Sequence, residues 1–497
     1  MAEAIATVLS PVNLALVLLG SAIGIISGAL PGVGASLTIA LLLPFTYKMA
    51  AASALVFLMA VWAGDIFGGS ISSILINTPG TGGNVATCFD GYPMAKAGRA
   101  GDALGISLIS SFLGGTFSIF ALMFLAPPIA ELSLAFGPAA YFWLAVVGLS
   151  IIATASRGST LKGLIAGGFG LMVSLIGYDV VTGFVRFDFG TLYLQDGVQF
   201  IPAMIGLFAI SQILVMAGEP VGGQSQIGKV TGSVWRGVAT ALRHPFVLIR
   251  SALIGTVFGA IPAVGVGAAS LVAYTETVRF SKDRESFGKG NPAGIVAPEA
   301  ANNAVQGGAL IPTLSLGIPG NATTAILLGA LTIWGLRPGM ELFSSSASIV
   351  HAVFAGLFLA QIAFFVLGIL FSGTFAKVIQ VPKRVLIPCI LLTCFTGAYA
   401  MRADIADVIV MLIFGVIGYG MRRQGYPMVC TVLAMILGPL MERNFSRALL
   451  ISGGSYGIFF RGTLCWIMIG LLLVSLAFGI LPELRSRGKA TSGSKAA

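Results

Sequence analysis

The chain is poor in charge: Asp, Glu, Lys and Arg make up 9% of its 497 residues, against about 25% in ordinary soluble domains. Histidine is almost missing, and His244 and His351 are isolated, so no histidine-based metal site is visible. The five cysteines (Cys88, Cys389, Cys394, Cys430, Cys465) form no CxxC pair. Most sit in apolar runs and read as small buried hydrophobes, not as metal ligands or disulfides. An intramembrane enzyme would need a DDxxD-type acid cluster, an HExxH pair, or a GxSxG serine with a histidine; the nearest pattern is Asp404-x-x-Asp407. No basic stripe interleaved with aromatics occurs, so the net charge of +10 is not a nucleic-acid signal. Basic residues lie instead in short loops between apolar runs, where they fix orientation by the positive-inside rule. They are nearly absent from the apolar interiors, so an anionic substrate would have to be held by something other than a deep cationic clamp. The opening Met-Ala-Glu has no Lys or Arg before the first apolar run. It lacks the basic n-region of a cleavable signal peptide, and the first segment is expected to stay in the membrane.

What is abundant is apolar surface. Hydrophobic residues make up 57% of the chain and the mean hydropathy is +0.97. The stretches 103–126, 348–372 and 463–481 each reach the roughly 20 residues that span a bilayer. The expected fold is an all-α polytopic membrane protein of about 10–12 transmembrane helices. Residues 1–217 and 245–484 read as two transmembrane repeats joined by a polar cytoplasmic linker, 218–244, with a basic disordered tail at 485–497.

The division rests on a motif that occurs twice. Gly24-x3-Gly28-Ala29-Leu30-Pro31-Gly32-Val33-Gly34 returns as Gly255-x3-Gly259-Ala260-Ile261-Pro262-Ala263-Val264-Gly265. A second pair follows: Asn77-Thr78-Pro79-Gly80-Thr81-Gly82-Gly83-Asn84 in the first half, and Gly317-Ile318-Pro319-Gly320-Asn321-Ala322-Thr323-Thr324 in the second. Pro and Gly breaking apolar segments at matching places in two halves point to a transporter binding site. Lipid cannot satisfy the backbone groups such a break exposes, so they must line a cavity or meet a ligand. Gly supplies the positive φ of a tight tip, and Pro stops the incoming half-helix. The outgoing half-helix then offers its first N–H groups and the positive end of its dipole to an anion. Pro31, Gly32, Val33, Gly34, Ala35 and Ser36, with Pro262, Ala263, Val264 and Gly265, form the first candidate element. The second comprises Asn77, Thr78, Pro79, Gly80, Thr81 and Gly82 with Pro319, Gly320, Asn321 and Thr323. Its mixture of amides, hydroxyls and Asn side chains suits a carboxylate. The competing reading is close helix packing by small residues, since Gly28 and Gly32 also make a GxxxG.

The charges of the two halves are biased oppositely. The loop after the first motif holds only Lys48 in half one, but Arg279, Lys282, Arg284 and Lys289 in half two. The loop after the Pro-Gly motif holds Lys96 and Arg99 in half one, and Arg337 beside Glu341 in half two. This swap is expected of inverted-topology repeats with re-entrant hairpins. Polar residues just before the tips are the candidates for coupling-ion chemistry: Asp65, Asn302 and Asn303. Their oxygens suit Na⁺, and the carboxyl could instead carry H⁺. Glu299 opens the same stretch, with helix capping as its plainer reading. Asp90 and Asp102 bracket the Lys96/Arg99 loop, which reads as a tight cytoplasmic turn.

Several of these motifs together resemble one family. Gly28-Ala29-Leu30-Pro31-Gly32-Val33-Gly34, Asn77-Thr78-Pro79-Gly80-Thr81, Asp90-Gly91-Tyr92-Pro93-Met94-Ala95, Pro298-Glu299-Ala300-Ala301-Asn302-Asn303-Ala304 and Gly317-Ile318-Pro319-Gly320 are similar, in order and spacing, to the large TctA-type membrane subunit of tripartite tricarboxylate transporters. The likeness covers about residues 15–480. It implies a non-enzymatic carrier in a bacterial inner membrane, driven by an ion gradient and needing no cofactor beyond Na⁺ or H⁺. It also implies a small membrane partner of about four spans and a periplasmic substrate-binding protein. The implied cargo is a small organic carboxylate: citrate, another tri- or dicarboxylate, or an aromatic acid. An anion channel or facilitator using the same broken-helix site is the alternative. Ala263, where the first repeat has Gly32, departs from the repeat and implies a looser second tip.

Overall fold

Helices that stop abruptly in apolar sequence dominate the architecture. The computed structural model describes residues 6–155, 160–179, 182–218, 231–262, 265–379 and 381–477. Helix α1 (Pro11–Ala29) starts at Ser10, whose Oγ accepts the Asn13 N–H at 3.4 Å, with proline in the first turn. It ends where Leu30 turns extended and Gly32 takes φ +88°. Helix α2 (Gly34–Thr46) leaves the break, and α3 (Ala51–Ile76), buried without interruption from Ala54 to Ile74, runs to Asn77, which is left-handed at φ 54°. A single turn at Gly82–Asn84 leads into α4 (Thr87–Met94) and the 33-residue α5 (Ala100–Leu132). Then follow α6 (Pro138–Ala155), α7 (Thr160–Ser174) and α8 (Phe200–Gly218).

The second half opens with α9 (Val234–Ala241) and α10 (Pro245–Ala260), bent by 83° to each other. After the second break come α11 (Val266–Phe280) and α12 (Ala293–Leu316), which ends at left-handed Gly317. Helix α13 (Ala322–Ile333) completes the pattern, followed by α14 (Ala347–Val378), α15 (Lys383–Ala400), α16 (Ile405–Arg423), α17 (Met428–Ile451) and α18 (Thr463–Ala477). Among the described residues, eight helices are long and apolar enough to cross a membrane, or nine with the bent pair, and five shorter apolar helices accompany them. The strands found there are one antiparallel pair, Gly177–Tyr178 with Val185–Arg186. Arg186 closes it outward, 2.5 Å from Glu442 and 3.5 Å from Asp179. The chain is an all-α, multi-pass membrane protein.

The two sequence halves make matching contacts. On α1, Gly24 and Gly28 lie so close to α3 that a Cβ would overlap the carbonyls of Val61 and Asp65. On α10, Gly255 and Gly259 face the carbonyls of Ala301 and Val305 on α12 in the same way. Gly80 is seated on Gly28 O and Gly69, and Gly320 on Gly259 O and Ala309. These are equivalent positions: 301 − 61, 305 − 65, 309 − 69 and 320 − 80 all equal 240. Small residues allow this approach, and packing then holds helices that lipid alone would not drive together. The breaks and the close packing therefore coexist on the same glycine motif.

The halves also interlock. Helix α12 packs along α5, and α14 packs along α3. Asp102 accepts hydrogen bonds from Arg99 Nε (3.0 Å), Arg236 Nε and Nη2 (both 2.9 Å) and the Ser233 N–H (2.9 Å). Asp90 Oδ1 accepts the N–H groups of Gly288, Gly290 and Asn291 at 2.7–2.9 Å, and Oδ2 accepts Tyr274 OH. The expected polar linker is thus helical and clamped at its described end; residues 219–230 and the tail at 485–497 lie outside the described residues.

Candidate functional site

The four breaks differ in how their helix ends are satisfied. Helix α13 is fully capped: Asn321 Oδ1 accepts the Thr324 N–H at 3.0 Å, and Thr324 Oγ1 accepts the Asn321 N–H at 2.9 Å. Asn321 is therefore spent on the helix it begins, and the neighbouring Thr323 is buried. Helices α2 and α11 have Val33 and Gly265 at their N-cap positions, which supply no side-chain cap. Apart from the Ala35 N–H, which is directed to the Asp65 carboxyl, their first-turn amides are donors that an anion could use. Gly32 and Gly34 (φ +88° and +55°) carry the chain round the first tip, and Gln212 of α8 brings its Nε2 over Gly32. Pro31 is exposed, Val33 and Ala35 are buried, and Ser36 is intermediate. Pro262 ends the second tip on the incoming side; Ala263 and Val264 lie outside the described residues.

The second break of half one folds back onto half two. Asn77 ends α3, and the Thr78 N–H donates to Ser72 O; in the counterpart, the Ile318 N–H donates to Pro312 O. Asn77, Thr78 and Gly82 are exposed, Pro79 is half-buried and Gly80 is buried, as are Pro319 and Gly320. Thr81 Oγ1 donates to Asn84 Oδ1, which fixes the turn. Helix α11 packs on the Gly82–Asn84 turn, and α2 packs on α13. The breaks are therefore paired crosswise, each half's first outgoing helix meeting the other half's second break.

Beside this turn lies the most demanding polar environment in the chain. Glu299 is fully buried, and its carboxylate accepts from Ser70 (2.6 Å), Asn84 Nδ2 (3.3 Å), Ser107 (3.0 Å), Ser111 (3.0 Å) and Thr87. No ion pair to Glu299 occurs among the described residues. Asn302 and Asn303 follow at three and four residues, on the same face of α12. Asn303 Nδ2 bonds Glu299 O at 3.4 Å, while its Oδ1 has no partner. Asn302 is fully buried with neither Oδ1 nor Nδ2 bonded, and it presses against Gly83 so closely that a Cβ there would overlap its amide.

Asp65 belongs to the other end of the pairing. Its Oδ1 accepts from Ser27 Oγ at 2.9 Å, and the Ala35 N–H, in the first turn of α2, is in reach of the same carboxyl. Its Oδ2 has no hydrogen-bond partner although the residue is fully buried. The residues expected to hold a coupling ion thus fall into two groups: Asp65 faces the first tip, while Asn302 and Asn303 flank Glu299 and the Gly83 turn. Sequence reasoning placed Gly83 and Asn84 in the second candidate element but missed the donor ring around Glu299, and also Gln212. An acidic residue within an apolar run was the available signal for the ring; nothing local marked Gln212. Asp404 and Asp407 have structural roles, Asp404 capping α16 and Asp407 accepting from Tyr193 OH (2.6 Å) and Arg402 (2.9 and 3.2 Å).

The family model for the tripartite tricarboxylate transporter TctA family matches residues 14–433. An uncharacterised 52.8 kDa protein of the TAR-I ttuC' 3' region in Agrobacterium vitis is 32% identical over 481 residues, covering 97% of this chain and 96% of that protein. A second uncharacterised protein, of the TAR-II ttuC' 3' region in the same organism, is 30% identical over 233 residues, 47% of this chain and 96% of the relative. No solved structure matches.

Proposed function

The chain belongs to the tripartite tricarboxylate transporter TctA family, and from that premise we propose that it is the permease of a binding-protein-dependent secondary transporter importing organic carboxylates. The cargo is a tri- or dicarboxylate such as citrate, or an aromatic acid. The observation that carries the reading is the Asn302 amide, buried and unpaired against the Gly83 turn. Leaving such a group unsatisfied costs about 1–3 kcal/mol. A substrate carboxylate that accepts from Nδ2 removes that cost. The uncapped first turns of α2 and α11 supply further backbone donors without a deep Lys or Arg.

A cation fits beside this anion. Asn302 Oδ1 and Asn303 Oδ1 are free oxygens near a carboxyl that has no cationic partner, and Asp65 Oδ2 is a third free oxygen at the first tip. Hard oxygens suit Na⁺, and either carboxyl suits H⁺. The halves act as inverted repeats with re-entrant hairpins, one unit moving against the other to alternate access. A small membrane subunit of about four spans accompanies the permease in the bacterial inner membrane, and a periplasmic binding protein delivers the substrate. The test is uptake of labelled citrate, other di- and tricarboxylates and aromatic acids into proteoliposomes holding all three components, with Na⁺ and H⁺ gradients imposed separately. Saturable uptake driven by one gradient supports a symporter. Unsaturable flux indifferent to both gradients indicates the channel instead.

A further inference from the structure

The cavity at the bend between α9 and α10 is separate from the crossed breaks and independent of the transport reading. It measures about 290 Å³, and His244, Arg250, Thr277, Phe280 and the first turn of α10 at Phe246 and Val247 line it. Arg250 is its charged centre. Nη2 donates to Thr277 Oγ1 at 2.9 Å, the guanidinium lies 5.2 Å from the centre of the Phe280 ring, and the buried Nε has no partner. Two further polar side chains of the wall, Ser281 and Asn291, are engaged within their own loop: Ser281 Oγ donates to Asp283 O, and Asn291 Nδ2 to Ser286 Oγ. Arg250, the His244 ring and the opening amides of α10 are the donors that line the cavity.

The mouth is apolar. Phe246 is 88% exposed and Phe280 66%, and Ile249 and Leu253 continue the strip along α10. Helix α9 turns away by 83°, with Trp235 exposed in its first turn and Arg243 exposed at the bend, as suits a segment lying in a membrane surface. The basic loop with Arg279, Lys282, Arg284 and Lys289 follows α11 on the same side, which the positive-inside rule assigns to the cytoplasm. A cationic donor set recessed at headgroup depth, beneath an aromatic rim that faces acyl chains, matches one ligand chemistry. We propose that this cavity binds the phosphate of an anionic phospholipid from the adjoining leaflet.

The test uses the purified, delipidated full-length protein, titrated with short-chain phosphatidylglycerol, short-chain phosphatidylcholine or inorganic phosphate and read by native mass spectrometry. Phosphatidylglycerol is expected to bind saturably and at least about tenfold more tightly than phosphatidylcholine. Arg250→Gln is expected to weaken it about tenfold or more, the loss typical of a charge-assisted hydrogen bond, and Arg461→Gln, at an exposed position elsewhere, to leave it unchanged. Equal affinity of the wild-type protein for the two lipids overturns the proposal without any variant. Binding by Arg250→Gln equal to wild type also overturns it, and so does displacement of the lipid by an equimolar amount of inorganic phosphate.

Discussion

Replacing Asn302 with leucine separates a binding amide from a structural one. Leucine is close to asparagine in shape but carries no polar atoms. In the wild-type protein both amide atoms are buried and unpaired, so their removal relieves about 1–3 kcal/mol of desolvation. Misfit of the branched methyls against Gly83 opposes this by a comparable amount, since overpacking costs about 1–3 kcal/mol. The melting temperature of purified Asn302→Leu is therefore expected to stay near the wild-type value or to rise. Uptake behaves differently. If Nδ2 donates to a substrate carboxylate, losing that charge-assisted bond costs about 1.5–3 kcal/mol, which is roughly 10- to 100-fold in apparent affinity. The assay is the concentration dependence of labelled carboxylate uptake in proteoliposomes, with a parallel thermal melt of the same preparation. A clearly destabilised variant that imports with wild-type affinity would refute the reasoning, because Asn302 would then have to be a scaffold residue with a hidden partner.

Gly28→Ala or Gly80→Ala places a methyl group against a backbone carbonyl across the α1–α3 contact; each is expected to destabilise by about 1–3 kcal/mol in a detergent melt, whereas Gly82→Ala, with open space around its Cβ, leaves the melt unchanged. Glu299→Gln puts an amide N–H₂ among five donors and is expected to cost about 1–3 kcal/mol; a melt identical to wild type would mean that the ring does not hold a carboxylate. Asp65→Asn removes a charge at the first tip and is expected to change the Na⁺ or pH dependence of uptake while leaving the order of preferred substrates intact; unchanged ion dependence would remove Asp65 from the coupling mechanism.

The breaks were legible because Pro and Gly act locally. Leu30–Val33, Asn77–Thr81 and Gly317–Asn321 interrupt the helices where the repeated motifs predict it, and α10 ends at Ala260 before α11 begins at Val266. The all-α membrane fold follows from apolar run length for the same reason. What could not be read was partnership over long distances. Ser70 and Glu299 are separated by 229 residues in sequence and by 2.6 Å in space, and no local pattern links them. The crosswise pairing of breaks is hidden likewise, since each motif looks complete within its own half. Asn321 shows the opposite difficulty: its sequence context suits a ligand donor equally well, and only the reciprocal bonds with Thr324 identify it as a cap. Gly80 carries both meanings at once. It lies in a break and also seats the break on Gly28, so a bulky substitution there cannot distinguish site from scaffold.

Alkylation of a cysteine at position 82 tests most directly whether carboxylates bind at the crossed breaks. Gly82 is exposed, borders the Gly83–Asn302 contact and has open space for a side chain. Of the native cysteines, Cys389 is exposed and the other four are buried, so Gly82→Cys in a Cys389→Ser background gives one reactive position. A transported carboxylate at saturating concentration is expected to slow its reaction with a maleimide severalfold, and a neutral ester of the same acid to leave the rate unchanged. An unchanged rate in a variant that still imports that carboxylate would contradict a binding site between the two broken halves.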